Sequence, residues 1–161
     1  METSWESELA KLLGDLLAVQ GDLLAMLVRK RELLAASDSA GLAALAPEEE
    51  RLIAGLQQCV DRRKQLLVRA GQEGLPAVSI RALAKALPPA QRSRLDERIR
   101  LASSRARLLR HHSLTNWVVV QRTLLHLSQM LEIIATGGRL TPTYGGRETV
   151  HASGALVDHA A

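Results

Sequence analysis

The sequence has little of what most β-rich and disulfide-bonded proteins need. Its 161 residues contain no phenylalanine, one cysteine and three aromatic residues in all, namely Trp5, Trp117 and Tyr144. A β-sandwich, or a surface that stacks nucleic-acid bases, needs more aromatic and β-branched side chains. The single Cys59 excludes an intramolecular disulfide and a cysteine-based zinc site. Because it falls in a helical pattern, we expect its thiol to be buried as a small apolar side chain.

A long uncharged apolar run is also missing. The nearest candidate, residues 114–134, contains Arg122, His126 and Glu132, which would be costly in a lipid bilayer. The first eight residues carry three glutamates, whereas a signal peptide begins with basic residues. We therefore expect a soluble cytoplasmic protein that does not insert into a membrane.

The residues that are abundant are strong helix formers. Leucine occurs 30 times and alanine 23 times, and hydrophobic residues make up 47% of the chain. Apolar residues over 3–36 alternate in steps of four and three, which is the spacing of one helix face packed in a coiled coil or bundle. That face is formed by Trp5, Leu9, Leu12, Leu16, Val19, Leu23, Met26 and Leu33, with Lys30 as the one break.

These patterns predict an all-α fold, an elongated antiparallel helical bundle in a single domain over residues 1–136. Two long helices are expected over 3–36 and 89–136, a medium helix over 47–70 and a short connector helix over 80–87. Helix ends are marked by small, polar or cyclic residues: Ser37-Asp38-Ser39, Pro47, Gly71, Gly74, Pro76, Ser79, Pro88-Pro89 and Gly137-Gly138. The regular spacing of apolar residues does not continue over residues 137–161. This stretch is therefore predicted to be a flexible C-terminal tail.

Charge is distributed unevenly along the chain. Residues 1–75 carry a net charge of −3 and residues 76–161 a net charge of +7, with the excess concentrated over 92–110. Seven arginines lie in that stretch: Arg92, Arg94, Arg98, Arg100, Arg105, Arg107 and Arg110. They suit either a phosphate-binding surface or a solvated face that pairs with the acidic half. The second interpretation is favoured, because the arginines spread around the helix and no aromatic residue lies among them.

No arrangement typical of catalysis is present. The five histidines form neither a Glu-x-x-His nor a His-x-x-x-His pattern, so no metal site is predicted. Phosphate-binding glycine loops and nucleophile elbows are also missing. We therefore predict a protein that is not an enzyme and has no cofactor.

An apolar stripe near the end of the last predicted helix is the best candidate for function. Its residues are Val120, Leu124, Leu127, Leu131 and Ile134, preceded by Asn116. In a bundle with few long helices the stripe either packs internally or is left to bind another helix. Asn116 either fixes the register or choice of a partner, or lies at the edge of the core and bonds to a neighbouring helix.

The sequence resembles the FlgN family of flagellar type III export chaperones over about residues 5–146. The shared residues, in order, are Lys30-Arg31-Glu32-Leu33-Leu34, Asp38, Leu42, Leu45, Glu48-Glu49-Glu50, Leu52, Leu56, Arg63, Leu66-Leu67, Asn116, Leu124 and Tyr144-Gly145. The resemblance implies a chaperone that binds the C-terminal helical segment of hook–filament junction proteins of the FlgK and FlgL type. It would prevent their premature assembly and deliver them to an export gate protein of the FlhA type.

By the same resemblance, the client would contact Asn116 and the apolar stripe, and Tyr144 would dock on the export gate. Two alternatives rest on other features of the sequence. The arginines over 92–110 would suit a basic helical protein that binds nucleic acid, although their arrangement makes such a partner a weak expectation. The regular spacing of the apolar residues would suit a structural coiled-coil subunit.

Overall fold

Four α-helices make up the computed structural model, which describes residues 4–137. They are α1 (Trp5–Ala35), α2 (Ser39–Gln72), α3 (Ile80–Lys85) and α4 (Pro89–Thr136). The described residues contain no strand. The all-α class and the order of the helices are confirmed, and α1, α3 and α4 begin and end within two residues of the predicted positions.

The polar residues at the helix starts act as caps. The Ser4 hydroxyl accepts a hydrogen bond from the Ser7 amide at 3.3 Å, Asp38 accepts one from Gly41 at 2.8 Å, and Ser79 accepts one from Ala82 at 3.1 Å. Each bond satisfies an amide that has no partner inside its helix. Of these three starts, the sequence marked that of α3 at Ser79; Asp38 lay in the marked cluster Ser37-Asp38-Ser39, and the Ser4 cap was not predicted.

Two helices end in left-handed residues. Ser37 follows α1 with φ of +54° and Gly74 follows α2 with φ of +74°. In each case the next amide reaches back five residues, from Asp38 to the Leu33 carbonyl at 3.0 Å and from Leu75 to Ala70 at 2.8 Å. This is the Schellman arrangement, which satisfies carbonyls that the helix itself leaves without a donor.

The predicted start of the second helix at Pro47 is wrong. One continuous helix begins at Ser39 and carries Pro47 in its interior. The proline removes one helical hydrogen bond, but contacts on both sides of it hold α2 together. Leu45 and Leu52 are buried in the same cluster, and Glu48 forms an ion pair with Arg29 of α1. Glu49 likewise pairs with Lys30, which explains the one break in the apolar face of α1.

Ion pairs show that α1 and α2 are antiparallel. Arg69 lies 2.8 Å from Glu8 and Arg62 lies 3.9 Å from Asp15, while Arg29 near the end of α1 pairs with Glu48 near the start of α2. The Arg69 guanidinium also lies 4.1 Å from the ring centre of Trp5. This cation–π contact fixes the ends of the two helices together.

By contrast, α1 and the first part of α4 are parallel. Arg98 donates to the Ala10 carbonyl at 3.2 Å, and Arg105 donates to the Leu17 carbonyl at 2.6 Å. The two donors are seven residues apart on α4, and the two acceptors are seven residues apart on α1. The same contact therefore repeats after two helical turns in the same direction along both helices. The helices α1 and α2 and the first part of α4 thus run up, down and up, as expected of an antiparallel bundle.

The core consists of two clusters of buried residues. The first joins α1, α2, α3 and α4, and its largest fully buried side chains are Leu9, Leu83 and Leu95. The second joins α1 and α2 around Met26. Leu83 and Ala84 of the short α3 are fully buried, so this connector helix closes one side of the first cluster.

By its internal contacts the chain divides into two compact units, Met1–Trp117 and Val118–Ala161. The helix α4 contributes residues to both units. It ends before Gly137, which has φ of +59°, a conformation that glycine adopts without strain. The rest of the predicted tail, residues 138–161, lies outside the described residues.

Candidate functional site

The apolar stripe predicted from the sequence is exposed on residues 118–136. Exposed fractions are 55% for Leu124, 50% for Leu127, 66% for Leu131 and 73% for Ile134, while Val120 is half-buried. The five residues follow steps of four, three, four and three, which places them on one face of a helix. Among the described residues of the unit that begins at Val118, none covers these four exposed side chains.

Met130 widens the stripe on one side. It is also about half exposed, and at 100° per residue it lies about 40° from Ile134, at the edge of the stripe. The same segment contains only two residues with a full charge, Arg122 and Glu132. A continuous exposed apolar face with so little charge is typical of a surface that binds another protein.

Asn116, which was predicted together with the stripe, is buried in the bundle with 5% of its surface exposed. Its amide nitrogen donates to the Leu27 carbonyl at 3.0 Å, and its amide oxygen accepts from Arg31 at 3.4 Å. Arg31 also bonds to the His112 ring. Asn116 is therefore bonded to a neighbouring helix, which was one of the two predicted roles. A client could reach it only if α1 and α4 separated.

The arginines over 92–110 are partly engaged inside the bundle. Arg94 pairs with Glu6 at 3.3 Å, and Arg98 and Arg105 donate to backbone carbonyls of α1. Pairing with the acidic N-terminal half is thus observed for Arg94. The carbonyl contacts were not predicted, although the seven-residue spacing of Arg98 and Arg105 was a visible signal.

Comparison with known protein families shows which family the chain belongs to. The family model described as FlgN protein matches residues 1–151. The chain belongs to the FlgN family. No curated protein and no solved structure matches the sequence.

Membership of the FlgN family makes the chain a chaperone of flagellar biogenesis, and the family is one of chaperones rather than enzymes. In residues 4–137, no three or more His, Cys, Asp and Glu side chains come together as metal ligands would. None of the helices in that range is both long and apolar enough to cross a membrane. Tyr144, the predicted gate-docking residue, lies outside the described residues.

A cleft in this FlgN-family bundle was not predicted from the sequence. It has a volume of about 530 Å³ and lies among α1, α2, α4 and the start of α3. Apolar side chains such as Leu12, Leu16 and Ile80 line it, together with three arginines. No single stretch of sequence signals the cleft, because its lining comes from four separate helices.

Two buried groups beside the cleft affect its chemistry. Gln20 donates to the Ala102 carbonyl at 3.1 Å, but its own amide oxygen has no partner among the described residues. Burial raises the pKa of the Cys59 thiol above its ordinary value, nearby Asp15 raises it further, and Arg62 opposes the rise. The thiol is therefore protonated at neutral pH and is a poor nucleophile.

Proposed function

We propose that residues 118–136 of α4 bind the C-terminal helical segment of a hook–filament junction protein of the FlgK or FlgL type. The single observation that carries this proposal is the exposed stripe formed by Leu124, Leu127, Leu131 and Ile134. An amphipathic client helix buries its apolar side chains against such a stripe and is read at steps of three and four residues. Val120 extends the same face at its N-terminal end.

Apolar burial supplies the affinity in this proposal. Each Å² of apolar surface removed from water contributes about 25 cal/mol, so a few leucines on each side give several kcal/mol. A client segment that is unfolded alone loses conformational entropy when it becomes helical, which reduces the net affinity. A complex of moderate affinity is what a chaperone requires, because the client must be released at the export gate.

The remaining steps of the proposed role take place in the cytoplasm. Covering the client's C-terminal helix prevents premature assembly, since that helix is then unavailable to other junction-protein subunits. The complex would dock on an export gate protein of the FlhA type through Tyr144. In this scheme Asn116 holds α1 against α4, and it contacts the client only in a state in which those helices part.

Co-expression with a junction protein tests the client. We expect a soluble stoichiometric complex by size-exclusion chromatography, and we expect it to be lost when the client's last helix is deleted. A complex that survives this deletion would show that the client binds through another segment.

Two equally exposed leucines test the surface. Leu131→Glu, on the stripe, should weaken client binding about tenfold or more, because it places a charge in an apolar contact. Leu125→Glu is the matched control, since Leu125 is 62% exposed but lies about 120° around the helix from Leu131. Equal effects of the two changes on the dissociation constant would contradict the proposed face.

The gate step is tested separately from client binding. Tyr144→Ala should reduce capture of the complex by the cytoplasmic domain of the gate protein while leaving the client's dissociation constant unchanged. A parallel loss of client binding would mean that Tyr144 belongs to the client surface.

A further inference from the structure

The arginine-rimmed cleft, defined by Arg63, Arg81 and Arg107 around its apolar lining, has no role in the proposed function. We propose that it is a second docking site, which accepts the apolar side chains of an acidic amphipathic helix from a partner protein. The cleft is lined only by residues between 12 and 107, whereas the proposed client stripe lies in 118–136. The two proposals can therefore fail independently.

The arginines around the cleft indicate that the partner is negatively charged. Arg63 comes from α2, Arg81 from α3 and Arg107 from α4, and all three are exposed. Within residues 4–137 none of them has an ion-pair or hydrogen-bond partner, in contrast to Arg62, Arg69 and Arg94. No Asp or Glu lines the cleft. Three like charges around one opening repel each other, and a carboxylate placed between them relieves that repulsion.

The residues that line the cleft indicate which part of the partner enters it. Leu12 and Leu16 form the floor on α1, and Ala102, Ser103 and Ala106 form the wall on α4. These small residues leave room for side chains from outside. A volume of about 530 Å³ holds a few apolar side chains but not a whole helix. The partner's backbone therefore stays at the opening, where its flanking Asp and Glu side chains meet the arginines.

A nucleic acid would use the same charges differently. Phosphate binding needs only exposed cations, and sequence-independent binding to single strands adds aromatic side chains on which bases stack. No aromatic residue lines the cleft, and its floor is apolar. The combination of an apolar floor with a cationic rim therefore favours an amphipathic peptide.

Three designed peptides of about five helical turns test the proposal. The first has leucines at i, i+3, i+4 and i+7 flanked by glutamates, the second has lysine in place of every glutamate, and the third is a scrambled form of the first. Fluorescence anisotropy with the full chain should show binding of the first peptide, and weaker binding of the other two by about tenfold or more. Binding of the first peptide should weaken as salt is raised.

Charge-matched variants assign the binding to the cleft. The double change Arg81→Gln and Arg107→Gln should weaken binding about fivefold or more. The control, Arg92→Gln with Arg100→Gln, removes two exposed arginines of α4 that do not line the cleft, and it should change binding by less than about twofold. Ala106→Leu should weaken binding by occupying part of the cleft, and circular dichroism checks that the variants remain helical.

Cys59 provides a second measurement that needs no labelled peptide. It is the only cysteine in the chain and it lines the cleft. Because its thiol is buried and protonated, we expect slow alkylation by a maleimide in the free chain and still slower alkylation when a peptide is bound. The proposal is overturned if the first peptide neither binds nor slows alkylation, if the scrambled peptide binds equally well, or if the control double variant loses as much affinity. Displacement of the first peptide by a single-stranded oligonucleotide at low micromolar concentration would assign the rim to nucleic acid instead. Loss of peptide binding in Leu131→Glu would place the peptide on the client stripe.

Discussion

Two buried polar side chains between α1 and α4 differ in how well they are satisfied. Asn116 uses both ends of its amide, on the Leu27 carbonyl and on Arg31. Gln20 uses only its amide nitrogen, on the Ala102 carbonyl. A buried polar group stabilises a fold only when its bonds outweigh the cost of removing it from water. Asn116 is therefore expected to stabilise the bundle, and Gln20 to contribute little.

Substitution at these two positions separates their roles. Asn116→Ala should lower the free energy of unfolding by about 1–3 kcal/mol, because it removes two hydrogen bonds, one of them to a charged group. Gln20→Met keeps the side-chain volume and removes the unpaired oxygen, so it should change stability by less than about 1 kcal/mol. Urea denaturation followed by circular dichroism measures both. A larger loss for Gln20→Met than for Asn116→Ala would contradict this assignment.

Two glycines of the helices are predicted to respond in opposite directions to alanine. A methyl group at Gly14 would meet nothing within 4 Å, so Gly14→Ala should raise the free energy of unfolding by about 1 kcal/mol through helix propensity alone. At Gly41 the added carbon would lie 2.5 Å from the Asp38 carboxylate and 2.7 Å from Leu33. Gly41→Ala should therefore lower stability by about 1–2 kcal/mol by disturbing the cap of α2.

Thermal unfolding of the two glycine variants beside the wild type gives the comparison. A lower melting temperature for Gly14→Ala would mean that its missing side chain has a role in packing. An unchanged melting temperature for Gly41→Ala would mean that the Asp38 cap adjusts at little cost.

At the scale of the helices, the sequence predicted where helices end better than it predicted which helices pack against each other. Asp38 and Ser79 cap helices at positions that the sequence had marked, because capping is a local interaction between residues three apart. Pro47 misled the prediction, since proline at a helix start and proline inside a helix look alike in sequence. The difference is made by ion pairs of Glu48 and Glu49 with α1, which are contacts across the bundle.

The pairing of helices and the cleft could not be read from the sequence for the same reason. A heptad pattern shows which face of a helix is apolar but not which helix covers it. Arg63, Arg81 and Arg107 come together only after three helices have packed. The stripe over 120–134 was predictable as a face, whereas its exposure depends on tertiary contacts that the apolar pattern does not specify.

Replacing Pro47 tests how far α2 is constrained by its contacts with α1. Pro47→Ala restores an amide that can bond to the carbonyl of residue 43, so it should raise the free energy of unfolding by about 1–3 kcal/mol. Pro76→Ala, in the connection between α2 and α3, is the control and should lower stability by less than about 1 kcal/mol. If Pro47→Ala is destabilising, the backbone conformation that the proline imposes is needed to bury Leu45 and Leu52 together.

At the scale of the whole chain, burial and proposed function lie in different residues. The buried apolar side chains come from residues 9–102, where three helices and the connector α3 share a core. Described residues from 121 onward are all exposed. A helix without buried side chains retains only its own hydrogen bonds, and such segments open locally with a lower free energy than a core. The apolar face that is proposed to bind the client is thus also the least stabilised helical segment of the described chain.

Hydrogen exchange measures this difference directly. In the free chain, amides of residues 121–136 should exchange faster than those of the core positions of α1 by about a hundredfold or more, because opening them exposes no buried side chain. Adding the client's C-terminal segment should slow exchange over 121–136 and leave the α1 core unchanged. Slow exchange over 121–136 in the free chain would show that the stripe is already covered. If that protection disappears on dilution, a second copy of the chain is the cover. If it persists, the stripe is sealed within one molecule and the proposed client surface is wrong.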